Sequence, residues 1–136
     1  MHTRRQAAQA VVELAIAMPV LLWFALGTLD FGRVFYTYVG LTNSAREGAR
    51  RAIQLAPACA TVLSTVRATV KAEQAGLFPA SVPDAVISLD CPSDRRTVTI
   101  TAYPFQPLTP FIAQALGDAT GAIPLTAWAT LPVVNQ

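Results

Sequence analysis

Side chains able to do chemistry are sparse and scattered in this sequence. There is one histidine, His2, and there are two cysteines, Cys59 and Cys91, far apart along the chain. A lone imidazole next to the start leaves no Ser–His–Asp or Cys–His arrangement in the body of the chain. Two distant cysteines make no zinc pattern, and there is no glycine loop of the P-loop type. Asp90 and Asp94 flank a turn and read as solvated turn formers more readily than as an acid/base couple. The expectation is a non-enzyme with no catalytic residue, no cofactor and no metal site.

One ionisable group stands out by its position. Glu13 opens a run to Leu29 in which the sixteen residues after it carry no formal charge. As a helix those sixteen span about 24 Å at ~1.5 Å per residue, and adding Ala10 to Glu13 gives about 30 Å, the thickness of a bilayer core. A single membrane crossing over about 10–29 follows, through Leu14, Pro19, Trp23 and Leu29. An ionised carboxylate within hydrocarbon costs on the order of 2.5–3.5 kcal/mol. Glu13 therefore either meets a cationic partner or lies in the headgroup zone. The whole chain is 53% hydrophobic and 13% charged, apolar for a soluble protein of its size. A net charge of +2, with aromatic residues not interleaved with basic ones, argues against nucleic acid as a partner.

Upstream, residues 1–8 form a short basic leader. Arg4 and Arg5 favour a cytoplasmic N-terminus, but Arg33 and Arg46 follow the other end, so charge alone leaves orientation nearly balanced. Ala25 and Gly27 could serve a signal peptidase cutting before Thr28. Against release, Phe31, Val34, Phe35, Tyr38, Leu41, Ala45, Ala49 and Ile53 continue a helical spacing straight through that point. One helix over about 10–55, roughly 65 Å long, is expected. Pro19 should loosen or kink it, while Gly27, Gly32, Gly40 and Gly48 permit close helix contacts. The pairs Asp30–Arg33 and Glu47–Arg51 are worth a few tenths of a kcal/mol each. Their face is either solvated or the flank of a stripe packed in a bundle.

The remainder reads as a small head. Pro57 breaks the helix, and Cys59, Val62, Leu63, Val66 and Val70 mark a second, amphipathic helix with Gly76 as its cap. Pro79 to Pro83 ends that pattern, and alternation takes over. Ala85, Ile87, Leu89 and Cys91 share one strand face, and residues 92–96 form a turn. Val98, Ile100 and Ala102 then alternate with Thr97, Thr99, Thr101 and Tyr103. Pro104, Pro107 and Pro110 mark an extended connection, and Thr109 can cap a short helix from Pro110 to Gly117. The last strand, Leu125 to Val133, turns Leu125, Ala127, Ala129 and Leu131 to one side. The fold class is α+β: a long N-terminal transmembrane, pilin-like helix, then a second helix packed on a three-stranded antiparallel sheet. The divisions are a leader at 1–8, the long helix at 9–56 and the head at 57–136. Cys59 and Cys91 both point at the head's core, either as a disulfide or as two buried thiols. A disulfide requires an oxidising compartment and would place the head outside the cytoplasm.

Three blocks in order carry a family resemblance. They are Gln9 through Glu13 to Pro19; Asp30, Phe31, Gly32 and Arg33; and Asn43 to Arg50, with Arg46, Glu47, Gly48 and Arg50. Together they resemble the TadE-like minor pilins, or pseudopilins, of tight-adherence (Tad/Flp) type IV pilus systems. The resemblance implies that a prepilin peptidase cuts between Ala8 and Gln9, making Glu13 the fifth residue of the mature chain. Ala8 stands where the family usually has Gly. The freed amino group of one subunit could then neutralise Glu13 of its neighbour. The implied partners are the prepilin peptidase, other minor and major pilins, the inner-membrane assembly platform and the lipid bilayer. The implied location is the bacterial inner membrane, single-pass, with the N-terminus cytoplasmic, the head extracytoplasmic and incorporation into a pilus open. The competing reading is a single-pass anchored binding protein of the envelope that joins no filament. A mature N-terminus at Gln9 supports the first, Met1 the second and Thr28 a released protein.

Overall fold

The computed structural model describes residues 2–55, 59–74 and 82–133. Helix-compatible residues run unbroken through the first third of the chain, and one helix, α1, spans His2–Leu55 and continues through Pro19. It is followed by α2 (Cys59–Gln74), a short 3-10 turn (Asp84–Val86), β1 (Ile87–Asp90), β2 (Arg95–Phe105), α3 (Pro110–Leu116) and β3 (Ile123–Pro132). The strands form one antiparallel sheet in the order β1-β2-β3. The result is the α+β arrangement that periodicity implies, with α2 and the second half of α1 laid on the sheet. The expected break at Pro57, cap at Gly76 and break at Pro79 lie outside the described residues.

α1 meets the head along the later part of the stripe that its spacing marks out. Leu41, Ala45, Ala49 and Ala52 are buried against Val62, Val66 and Val70 of α2 and Val98, Ile100 and Ala127 of the sheet. Phe31, Phe35 and Tyr38, which continue that stripe toward the apolar half, are exposed. Small side chains win this face because they let the helix axes approach. Gly48 shows it directly, since a Cβ there would sit 2.9 Å from Cγ2 of Val70 and 3.3 Å from Cγ1 of Val66. Around Gly27 and Gly32, by contrast, nothing lies within 4 Å. On the outer face Glu47 pairs with Arg50 at 3.8 Å, not with Arg51, which donates to Gln54.

The sheet departs from simple alternation at one place. Ile100 pairs with Ala127 but Tyr103 pairs with Leu125, so β2 carries one extra residue, a bulge. Ala102 absorbs it at φ 55° and turns outward, and Tyr103 and Phe105 become the buried residues. The sequence reading had put Ala102 inward and Tyr103 outward, because a period of two continues only while every residue is paired. The bulge also carries β2 through Pro104, where a connection was expected. Beside the bulge, β1 starts only at Ile87, opposite Ile100, with Ala85 in the 3-10 turn and exposed. β3 keeps its expected alternation, with Ala127 and Ala129 buried and Trp128 exposed.

A disulfide joins Cys59, the first residue of α2, to Cys91, just beyond β1, with their Cα atoms 6.0 Å apart. Lys71 adds a second tie from α2, 2.8 Å from Asp84 in the 3-10 turn. Closing this loop restricts the unfolded chain by about 3.7 kcal/mol in the chain-entropy account, large against the net stability of a small domain. Reduction should therefore lower head stability by roughly 2–4 kcal/mol, read as a shift in the denaturation midpoint of the detergent-solubilised chain with and without reductant. Glycine substitutions should separate the two kinds of site on α1. Gly32→Ala should raise stability by about 0.5–1 kcal/mol through helix propensity. Gly48→Ala should lower it, because overpacking of about 1–3 kcal/mol outweighs that gain; thermal melts of both variants provide the comparison.

Candidate functional site

Past its head-facing half, α1 is covered only along one side. From Gln9 to Leu26 its side chains are all exposed, including Val11, Leu14, Ile16, Leu22 and Phe24. A helix segment this apolar, with only α3 beside its upper part, fits a lipid or subunit environment. By length and composition α1 is able to cross a membrane. Glu13 lies on this bare segment, beside a shallow apolar groove with Ile16, Ala17, Val20 and Leu21. Among the described residues it makes no ion pair and no side-chain hydrogen bond.

At the other end of the apolar segment a second carboxylate has the opposite environment. Asp30 is 1% exposed. Its Oδ1 accepts the backbone N–H of Leu108 at 2.9 Å and Nη1 of Arg33 at 3.2 Å, and its Oδ2 accepts the N–H of Thr109 at 2.8 Å. The loop is built for this. Pro107 and Pro110 have no N–H, so Leu108 and Thr109 supply the only amide donors in that stretch. Thr109 holds the N-cap position of α3 with extended backbone, yet its side chain makes no capping bond. The expected Thr109 cap does not form; a carboxylate from another helix instead holds the two amides just ahead of α3, and binds them more strongly than a hydroxyl would. Arg33 also lies over the Phe105 ring, 5.2 Å from its centroid, adding a cation–π contact between α1 and the end of β2. One helical turn and more below, Trp23 stacks on Phe111 of α3, with ring centroids 6.2 Å apart and planes 16° apart.

The far side of α3 is fixed as firmly. Gly117 closes the helix, donating its N–H to Ala113 O at 3.0 Å, and a side chain there would overlap the backbone of Ala113 and Gly121. Asp118 then accepts the Thr120 hydroxyl and the N–H groups of Thr120 and Ala122. These bonds, the Thr120 hydroxyl first, hold the Asp118 pKa below its ordinary value. Asp84 is likewise held low, first by its bond to Lys71, and burial pushes the Tyr103 hydroxyl up.

The residues singled out in sequence fall into separate places. Asp30 and Arg33 join the α3 loop, while Phe31 and Gly32 face away from it. Gly48 packs on α2; Arg46, Glu47 and Arg50 line an open groove beside Trp128 and Thr130 of β3. Ala8 and Gln9 lie on α1, near Glu13 and remote from the head's disulfide. The sequence reading treated Asp30–Arg33 as a surface pair and missed the loop it binds. The available signal was a carboxylate at the edge of an apolar run and two amides framed by prolines far downstream.

Comparison with protein families matches residues 8–50 to the family described as TadE-like protein. Over that segment the chain is similar to TadE-like proteins. The matched segment holds Glu13, Asp30, Arg33 and the Arg46–Arg50 block, and ends within the part of α1 that packs on the head. No curated protein and no solved structure gives a significant match to the chain. Among the described residues no group of three His, Cys, Asp or Glu side chains could hold a metal ion. The TadE-like helix thus offers binding chemistry: one carboxylate with no partner among the described residues, and one that latches the head.

Replacing Asp30 with Asn tests the latch. An amide group can accept from one of the two N–H groups but presents its own NH2 to the other, leaving a buried donor unpaired at a cost of about 1–3 kcal/mol. Asp30→Asn should speed hydrogen exchange at Leu108 and Thr109 while leaving the amides of β3 protected. Unchanged exchange at those two amides would show that the loop is held by other contacts.

Proposed function

We propose that this chain is a minor pilin of a tight-adherence type IV pilus system, held in the inner membrane by α1 with the N-terminus cytoplasmic and the head outside. The TadE-like match points to Tad pilus systems in general. The observation that carries the finer reading is where the match falls: on a long helix whose apolar half is bare and bears Glu13 with no partner among the described residues. A carboxylate so placed costs several kcal/mol in hydrocarbon unless a cation meets it. A prepilin peptidase cutting between Ala8 and Gln9 would create that cation, a free α-amino group, on a neighbouring pilin. The Cys59–Cys91 disulfide supports an oxidising location for the head. In this reading the protein does no catalysis; it is a peptidase substrate that primes or caps assembly through contacts with other minor and major pilins and the assembly platform.

The mass of the protein recovered from cells carrying the prepilin peptidase tests it. The expected N-terminal residue is Gln9; retention of Met1 would overturn the pilin reading and leave a membrane-anchored envelope protein. Glu13→Ala should insert at least as well as the wild type, since the segment becomes more apolar, yet reduce piliation and co-purification with other pilins. Normal piliation by that variant would remove Glu13 from the mechanism.

A further inference from the structure

We infer that α3 and the loop leading into it enter the membrane leaflet on the head's side, lying along α1, with a lipid acyl chain in the cleft between the two helices. The inference rests on the membrane-spanning reading of α1 given above. Leu108, Phe111 and Leu116 are 62%, 64% and 68% exposed, unusual for three large apolar side chains so close together on a small head. From Thr97 to Gly117 the chain carries no Asp, Glu, Lys or Arg. Exposed Trp23 and Phe24 of α1 lie across from this patch, and the intervening cleft is lined by Val20, Gly27, Thr109 and Ile112.

Depth favours lipid as the occupant. With the spanning segment ending near Leu29, Trp23 lies about 9 Å inside its edge at ~1.5 Å per residue. The Phe111 ring, stacked on Trp23, is drawn to a similar level. Helices that lie in a membrane interface bury their apolar face by about 5–10 Å, so the two depths agree. Backbone entering that zone needs its polar groups paired. Here Asp30 takes the amides of Leu108 and Thr109, Thr109 O takes those of Ile112 and Ala113, and Ala113 O takes that of Gly117. Pro107 and Pro110 have no amide to pair. Asp30 and the prolines thus leave few unpaired amides in this loop, although the buried Thr109 hydroxyl has no hydrogen-bond partner among the described residues.

Tryptophan quenching in vesicles tests the placement. The full-length chain is reconstituted in phosphatidylethanolamine and phosphatidylglycerol with acyl chains brominated near the carbonyl end or near the methyl end. Trp128→Phe leaves Trp23 as reporter of α1. Trp23→Phe with Trp128→Phe provides the background for Phe111→Trp and, separately, for Leu116→Trp, whose exposed site leaves the packing undisturbed. Tryptophan at 111 should lose at least about half its emission, most strongly with bromines near the carbonyl end, as for groups at 5–10 Å depth. Strong quenching of Trp23 together with unquenched tryptophan at both 111 and 116 would overturn the inference and leave the patch to another protein subunit. Unquenched Trp23 would instead overturn the spanning reading, and this inference with it.

Discussion

One buried anion ties the loop before α3 to the edge of the apolar segment. Asp30 holds two amides and a guanidinium with two oxygens, so a charge on α1 reaches that loop directly. Charge-assisted bonds of this kind are short, directional and costly to leave half made. They set the height of α3 along α1, and with it the stacking of Phe111 on Trp23 and the place where the chain turns back through Gly117 and Asp118 into β3. The sheet and α2 fix the head internally, whereas Asp30 fixes how the head stands relative to the apolar half of the helix.

α1 answers two demands with two compositions. Where it packs on the head it presents Ala45, Gly48, Ala49 and Ala52, so that valines from α2 and β2 can come close to its backbone. Buried Ser44 keeps its hydroxyl bonded to Gly40 O within the helix, so that face carries no unpaired hydroxyl at this point. Where α1 leaves the head it presents branched and aromatic side chains on all sides. The small-residue face begins near Leu41, while farther toward the apolar half Asp30 is buried by the loop before α3 with Arg33 half-buried beside it.

Periodicity made most of the fold legible. The long helix, the second helix, the β-hairpin and the last strand each have a run of residues long enough for spacing to decide, and both cysteines lay on stripes that proved to face each other. The failures share a cause, since each depends on something other than local spacing. Phe31, Phe35 and Tyr38 share one stripe with Leu41, Ala45 and Ala49, but only the part from Leu41 onward meets the head, because spacing does not tell how closely a partner can approach. A bulge at Ala102 inserts one residue and reverses every later assignment on β2, and Ala gives no sign of a positive φ as Gly or Asn would. Asp30 was weighed against Arg33 on its own helix, while its strongest partners lay on a loop nearly eighty residues away.

The two carboxylates that bound the apolar segment make the final point. Glu13 and Asp30 are about 26 Å apart along α1 at ~1.5 Å per residue, close to the thickness of a bilayer core. Asp30 finds its donors within the chain, and that is possible because the head folds back over it. Glu13 has no such cover, since nothing in the described head reaches below the level of α3. On the pilin reading its neutralisation comes from outside the chain, from a headgroup or from another subunit. A headgroup would satisfy the charge at any rotation of the helix and would fix nothing about its neighbours. A single amino group on a neighbouring helix would fix both axial level and rotation, which is what a filament subunit requires of a contact that must be made once and in one register.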